Sequence, residues 1–251
     1  MSRRALLLQK VGVIADTRFI MTVKSNNTGT SGSDQFTIPT NGGGYLYDVE
    51  TSDGYTASGL TGDHTITFPS GAGTYDVYIT GTFPKIYFSD GGDKLKALDI
   101  KNFGIYGQGT TDQSESFYGA SNMTMTAIDG LFFNGIVDGG NMFRNTAITG
   151  LPDNVTLESL DIANAMFRDS VSFTELPIGV TLPLLTRGNV MFRGVTLATE
   201  RYSQLLIDLE SGNLNDNVTF HGGNSRYNSS AVTARANLVA RGWTITDNGL
   251  E

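Results

Sequence analysis

The sequence predicts a β-rich protein of two domains, an N-terminal immunoglobulin-like β-sandwich followed by a leucine-rich-repeat solenoid with a helical C-terminal cap. Three observations predict it. Between residues 17 and 90, short β-branched and aromatic runs alternate with glycine- and asparagine-rich breaks, the pattern of strands joined by turns. In the second half Met-Phe-Arg occurs three times, at Met142-Phe143-Arg144, Met166-Phe167-Arg168 and Met191-Phe192-Arg193, so its phenylalanines lie 24 and 25 residues apart. A period of that size marks units too small to bury an apolar face alone, which must stack on their neighbours. From Glu200 the phrase is gone and helical text begins, as expected where a cap replaces the missing neighbour.

Residues 1–16 read as a docking arm. Arg3 and Arg4 precede Leu6, Leu7 and Leu8, but Gln9 and Lys10 break the apolar run, which is short of the roughly 7–15 residues a secretion signal needs. Candidate strands follow at Phe19 to Val23, Gln35 to Ile38, Tyr45 to Glu50, Thr65 to Phe68, Thr74 to Thr80 and Lys85 to Phe88. Turn clusters such as Asn41-Gly42-Gly43-Gly44 and Asp53-Gly54 separate them. Tyr75, Val77 and Ile79 alternate with polar or exposed positions, the period of a half-buried strand. Six such strands suggest a β-sandwich over 17–90.

Residues 91–251 carry the repeat. Leu95-x-x-Leu98-x-Ile100-x-Asn102 returns as Leu157-x-x-Leu160-x-Ile162-x-Asn164 and partly as Leu182-x-x-Leu185-x-Arg187-x-Asn189, the grammar of a leucine-rich repeat. The frame Leu151-Pro152-x-x-Val155-Thr156-Leu157 matches Leu176-Pro177-x-x-Val180-Thr181-Leu182. Ser116-Phe117-Tyr118-Gly119 is a weaker copy of the Met-Phe-Arg phrase. Glu200 to Leu209 and Ser229 to Arg241 read as helices, with Ser229 and Ser230 as N-cap candidates and Gly242 as a stop. Trp243 to Thr246 supplies a last strand.

The chain of 251 residues has 31 glycines, no cysteine and a formal net charge of −8. The missing cysteines exclude disulfides, thiolate catalysis and cysteine-held zinc. The acidic balance argues against nucleic acid as a partner, because phosphate contacts need a basic face. No run approaches the roughly 20 apolar residues of a membrane span.

Catalytic material is sparse. His64 and His221 are the only histidines and read as surface or loop residues; no serine-nucleophile elbow or paired-histidine zinc motif occurs. Two carboxylate pairs, Asp138 with Asp161 and Glu158 with Glu175, are the candidates for a polysaccharide-cleaving acid pair, although solvated loop carboxylates explain them better. Aspartate-glycine turns such as Asp90-Gly91 and Asp138-Gly139 follow no calcium-loop spacing. No catalytic residue, metal or cofactor is therefore expected. Arg144, Arg168 and Arg193 recur once per repeat and should form a file along one edge, either a basic stripe for acidic glycans or a carboxylate-rich partner, or charge that pairs with neighbouring acids such as Asp169 or simply keeps the edge soluble. Phe117, Phe143, Phe167 and Phe192 are expected as a stacked core ladder.

Several phrases resemble a known family. Phe36-Thr37-Ile38-Pro39-Thr40, Gly44-Tyr45-x-Tyr47-x-Val49, the repeated Met-Phe-Arg, and the ending from Gly223-Asn224-Ser225 to Trp243-Thr244-Ile245 look like the BspA-like leucine-rich-repeat (DUF285-type) surface proteins of bacteria and bacteriophages. The resemblance implies surface display and adhesion-type binding. It leads to the expectation of a non-enzymatic virion structural protein (capsid decoration, head fibre or tail adhesin), with a bacterial cell-surface adhesin and a tailspike-like depolymerase as alternatives. The expected partners are other virion proteins, reached through the N-terminal part, and a host-surface glycan or protein. Nucleic acid and membrane insertion are not expected, and several copies on a larger assembly are.

Overall fold

Alternation of inward and outward side chains builds the first half. In the computed structural model, which describes residues 16–251, strands β1 (Phe19–Lys24), β2 (Gln35–Ile38), β3 (Leu46–Thr51), β4 (Thr56–Leu60), β5 (His64–Thr67) and β6 (Thr74–Thr82) follow in order. The proposed arm residues Arg3, Arg4, Leu6, Leu7 and Leu8 lie outside the described residues. Antiparallel pairing of β1 with β6 sets Phe19 opposite Ile79, Met21 opposite Val77 and Val23 opposite Tyr75. All six face the core, because side chains two apart share one face of a strand. A separate ribbon of β2 and β5, with Phe36 opposite Ile66, contributes to the same core. Phe68, just past β5, stacks on Tyr75 with ring centroids 4.2 Å apart.

The sheet continues past residue 90. Strand β7 (Ala97–Asn102) pairs antiparallel with β1 and parallel with the short β8 (Thr124–Met125), giving a six-stranded mixed sheet in the order β4-β3-β6-β1-β7-β8. This corrects the expected fold class. The chain does not build an immunoglobulin-like sandwich joined to a leucine-rich-repeat solenoid: one mixed sheet spans both halves, with a two-stranded ribbon and two helices among the described residues. A leucine-rich-repeat solenoid lays one strand per repeat into a continuous parallel sheet. Here Asp112–Asp138, Asp138–Ile162 and Ile162–Arg187 meet only as single-residue parallel bridges. The first apparent leucine motif is misleading, because the bulged β1–β7 register buries Lys96, Ala97 and Ile100 and leaves Leu95 and Leu98 half-buried. Lys85 to Phe88 is likewise no strand; Phe88 N–H donates to Ser116 O at 3.0 Å and joins the first turn.

The Met-Phe-Arg phrase has a geometric cause. The residue before each Met (Asn141, Ala165, Val190) has a positive φ of 56°, 55° and 48°, and the residue after each Arg (Asn145, Asp169, Gly194) has one of 56°, 60° and 82°. The chain thus turns a corner at each phrase. That lets consecutive Met and Phe side chains both enter the interior, where Met142, Phe143, Met166, Phe167, Met191 and Phe192 are completely buried. Each Arg is left at the edge. Successive turns are tied by parallel backbone hydrogen bonds: Phe117 N–H to Met142 O at 2.9 Å, Phe143 N–H to Met166 O at 2.9 Å, and Phe167 N–H to Met191 O at 3.0 Å. The rings stack in step, Phe117–Phe143 at 5.4 Å, Phe143–Phe167 at 6.0 Å and Phe167–Phe192 at 5.3 Å, all within 9° of parallel. The ladder expected from the sequence is present.

Two elements close the ends. At the C-terminal side, α1 (Thr199–Gly212) and α2 (Val232–Ala240) pack beside a parallel sheet of β9 (Arg187–Gly188), β10 (Thr219–His221) and β11 (Thr244–Thr246). The N-cap lies one residue before Ser229: Asn228 accepts from Ser230 N–H. Gly242 ends the second helix at φ +84°, a conformation glycine adopts without strain. Nearer the N-terminus, Asp93 and Lys96 form a buried pair. The carboxylate accepts from the N–H groups of Thr30, Ser31 and Thr37 at 2.7–3.0 Å. The ammonium donates to the carbonyls of Ser31, Gly32 and Gln35 at 2.8–3.1 Å. Together they pin the loop between β1 and β2 onto β7.

Candidate binding surface

Stacking decides where the repeated arginines go. Gly119 N–H donates to Arg144 O, Asn145 N–H to Arg168 O, and Asp169 N–H to Arg193 O, each at 2.8–2.9 Å. The three arginines therefore sit on consecutive turns, whose spacing is set by the 5.3–6.0 Å ring ladder beneath them. Tyr118 holds the equivalent place on the turn before, and the Arg144 guanidinium lies 4.7 Å over its ring. Arg168 pairs with Asp169 at 3.2 Å. Arg193 is exposed, and among the described residues no carboxylate lies within 4.0 Å of it. His221 follows on the next turn: Phe192 N–H donates to its carbonyl. Burial, then the neighbouring Arg193 charge, hold the His221 imidazole below its usual pKa.

Like charges on consecutive turns repel unless they are compensated. The Tyr118 face and Asp169 compensate the first two arginines. The third has the least.

Three of the four paired acids are engaged elsewhere. The Asp161 carboxylate accepts from the Thr186 hydroxyl of the next turn. Asp138 folds back to accept from Gly140 N–H at 2.8 Å. Glu175 pairs with Arg201 of α1 at 2.9 Å, while Glu158 is exposed. Of the histidines, His64 Nε2 lies 2.7 Å from the Tyr55 hydroxyl, and burial lowers its pKa. The two proline frames run side by side and line a groove of about 490 Å³ with Leu151, Pro152, Leu176, Pro177 and Ile178, ended by Arg201. Among the described residues no group of three or more His, Cys, Asp or Glu side chains is placed to hold a metal ion. No helix there is long and apolar enough to cross a membrane.

No protein-family model matches the chain, and neither a curated protein nor a solved structure matches it significantly. The BspA-like resemblance therefore rests on the quoted phrases alone.

The Arg168–Asp169 pair is one the sequence offered; Tyr118 and the Asp93–Lys96 pair are not. Tyr118 carried a signal, since it aligns with the arginines once Phe117 is set against Phe143. Asp93 and Lys96 carried none: a turn aspartate and a lysine three residues on look like solvated charge.

Proposed function

We propose that this chain is a non-enzymatic structural component of a virion, a capsid decoration, head fibre or tail adhesin, whose stacked turns present a repeated basic edge to an acidic, multivalent partner. The file of Arg144, Arg168 and Arg193 on consecutive turns carries the reading. A regular array of one cationic group engages a repeating acidic chain through several weak contacts at once, and linked contacts gain avidity that exposed single pairs lack. The engagement of Asp161 by Thr186 and of Glu175 by Arg201 favours display over polysaccharide cleavage. Docking to the particle is assigned to the N-terminal part.

Two experiments test this. Deleting residues 1–16 is expected to abolish incorporation into purified particles while leaving a soluble, folded protein; normal incorporation of the truncated chain would refute the docking role. Release of sugar from host capsule or lipopolysaccharide by the purified protein would refute the non-enzymatic reading.

A further inference from the structure

A second site lies where the Asn41–Gly44 loop and the Gln108–Thr110 loop line a pocket of about 360 Å³. That volume is within the roughly 300–1,000 Å³ of small-molecule sites. Its base is Lys85, whose side chain is only 9% exposed. The Lys85 ammonium donates to Ser114 O at 3.2 Å and pairs with Asp112 Oδ1 at 3.4 Å. The ammonium also lies 5.2 Å over the Tyr87 ring, so the third of its three donors is only weakly engaged. Asp112 is exposed at the rim. Burial raises its pKa, but hydrogen bonds from Ser114 and the Lys85 charge outweigh this and hold the carboxyl below its usual range, so it stays an acceptor at neutral pH.

The walls are backbone. Among the described residues, the N–H groups of Gly42, Gly43, Gly44 and Gly109 donate to no acceptor. Gly42, Gly44 and Gly109 have φ values of +77°, +91° and +79°, which explains their identity. Gly43 is different. Its φ is outside the left-handed range, and a Cβ there would meet nothing within 4 Å. Neither conformation nor packing within this chain calls for glycine at 43, and its bare backbone leaves that wall of the pocket open to close approach.

We infer that this pocket binds a neutral saccharide unit. Lys85 and Asp112 cancel in charge, so an ionic ligand would have to break a pair whose cation is buried, leaving an uncompensated charge. Sugar hydroxyls both donate and accept. They can accept from Lys85 and the bare glycine N–H groups, and give to Asp112, while the Gln108 and Asn41 amides can do either; the Thr110 hydroxyl is already engaged with the Asp112 backbone. The site is separate from the arginine edge, and it stands whether or not the chain belongs to a virion.

The test is retention of the purified protein on immobilised neutral oligosaccharides (glucans, galactans and mannans) beside a matched panel carrying uronate or sialate groups. Wild type is expected to be held by a neutral member of the panel. Gly43→Val, which adds a branched side chain at the pocket wall, should weaken that retention at least tenfold with no change in unfolding midpoint, and Gln108→Ala on the opposite wall should weaken it too. The triple variant Arg144→Gln, Arg168→Gln, Arg193→Gln should hold the neutral sugar as wild type does. The inference is overturned if no neutral member is retained, if Gly43→Val and Gln108→Ala bind as wild type, or if only acidic glycans are held and the arginine variant abolishes it. Failure of particle incorporation would count against the virion reading alone.

Discussion

Replacing Phe167 should expose the energetics of the stack. This ring has no exposure to solvent and is flanked by Phe143 at 6.0 Å, Phe192 at 5.3 Å and Phe173 at 4.3 Å. Truncating a buried phenylalanine to alanine costs about 3–5 kcal/mol through lost burial and the cavity left behind. Phe167 belongs at the upper end, because turns above and below are tied by backbone bonds and cannot collapse into the gap. Leucine restores most of the volume but none of the ring contacts. At about 0.5–1.5 kcal/mol for each of the three aromatic pairs beyond burial, Phe167→Leu should cost roughly 1.5–4.5 kcal/mol. Urea unfolding followed by Trp243, which is buried beside Phe220 at the far end of the ladder, measures both. A double-mutant cycle sharpens the test: Phe143→Leu and Phe167→Leu should couple by about 0.5–1.5 kcal/mol, whereas Phe117→Leu and Phe192→Leu, three steps apart, should add within about 0.5 kcal/mol. A Phe167→Ala cost below about 1 kcal/mol, or equal coupling in both cycles, would refute the reasoning.

Other consequences follow from particular residues. Val190 holds φ +48°, where a side chain costs about 1–2 kcal/mol. Asparagine tolerates that region and stands at the matching position 141, so Val190→Asn should raise Tm by about 2–4 °C in a calorimetric scan. Lys96→Met removes one partner of a fully buried pair and leaves the Ser31, Gly32 and Gln35 carbonyls unpaired; a loss of about 3–5 kcal/mol is expected in urea. Acid titration tests Asp93. Burial alone would raise its pKa, but hydrogen bonds from Ser31 and Thr37 and the Lys96 charge outweigh burial and lower it. The unfolded chain then binds the proton more readily. This stabilisation is present above the unfolded value of about 3.9 and is lost as pH falls from there through the folded value. Asp93→Asn should flatten the fall in urea midpoint over that window, at a lower stability throughout.

Local chemistry made much of this fold legible. Gln35–Ile38 is a strand as its alternation predicts, and Phe19, Tyr75, Val77 and Ile79 face the core as theirs does. The helices near Glu200 and Ser229 form within a few residues of expectation. The ladder was readable because an exact phrase at a near-constant spacing leaves few other arrangements. What failed was long-range. Nothing near Ala97 announces that it will sit opposite Val23 across an antiparallel pair. Leucine spacing there imitated a repeat whose inward positions the sheet then reassigned. Strand β4 escaped notice because Thr56–Leu60 is an edge strand with no fully buried residue. At the edge, the arginine file follows from the period and the Asp169 pairing from adjacency to Arg168, but the cation over Tyr118 depends on side-chain directions that no spacing encodes. The Lys85 pocket was invisible for the same reason, since its two walls are 60-odd residues apart and mostly glycine.

Amide hydrogen exchange tests the stacking of successive turns most directly. The N–H groups of Phe117, Phe143 and Phe167 each donate into the next turn, whereas those of the exposed Val171 and Ser172 on the same stack donate to no acceptor among the described residues. The three phenylalanine amides should exchange together, at least about a thousandfold slower than Val171 and Ser172, through an opening close to global unfolding. Exchange of Phe143 and Phe167 at the rate of Val171 would contradict the stack.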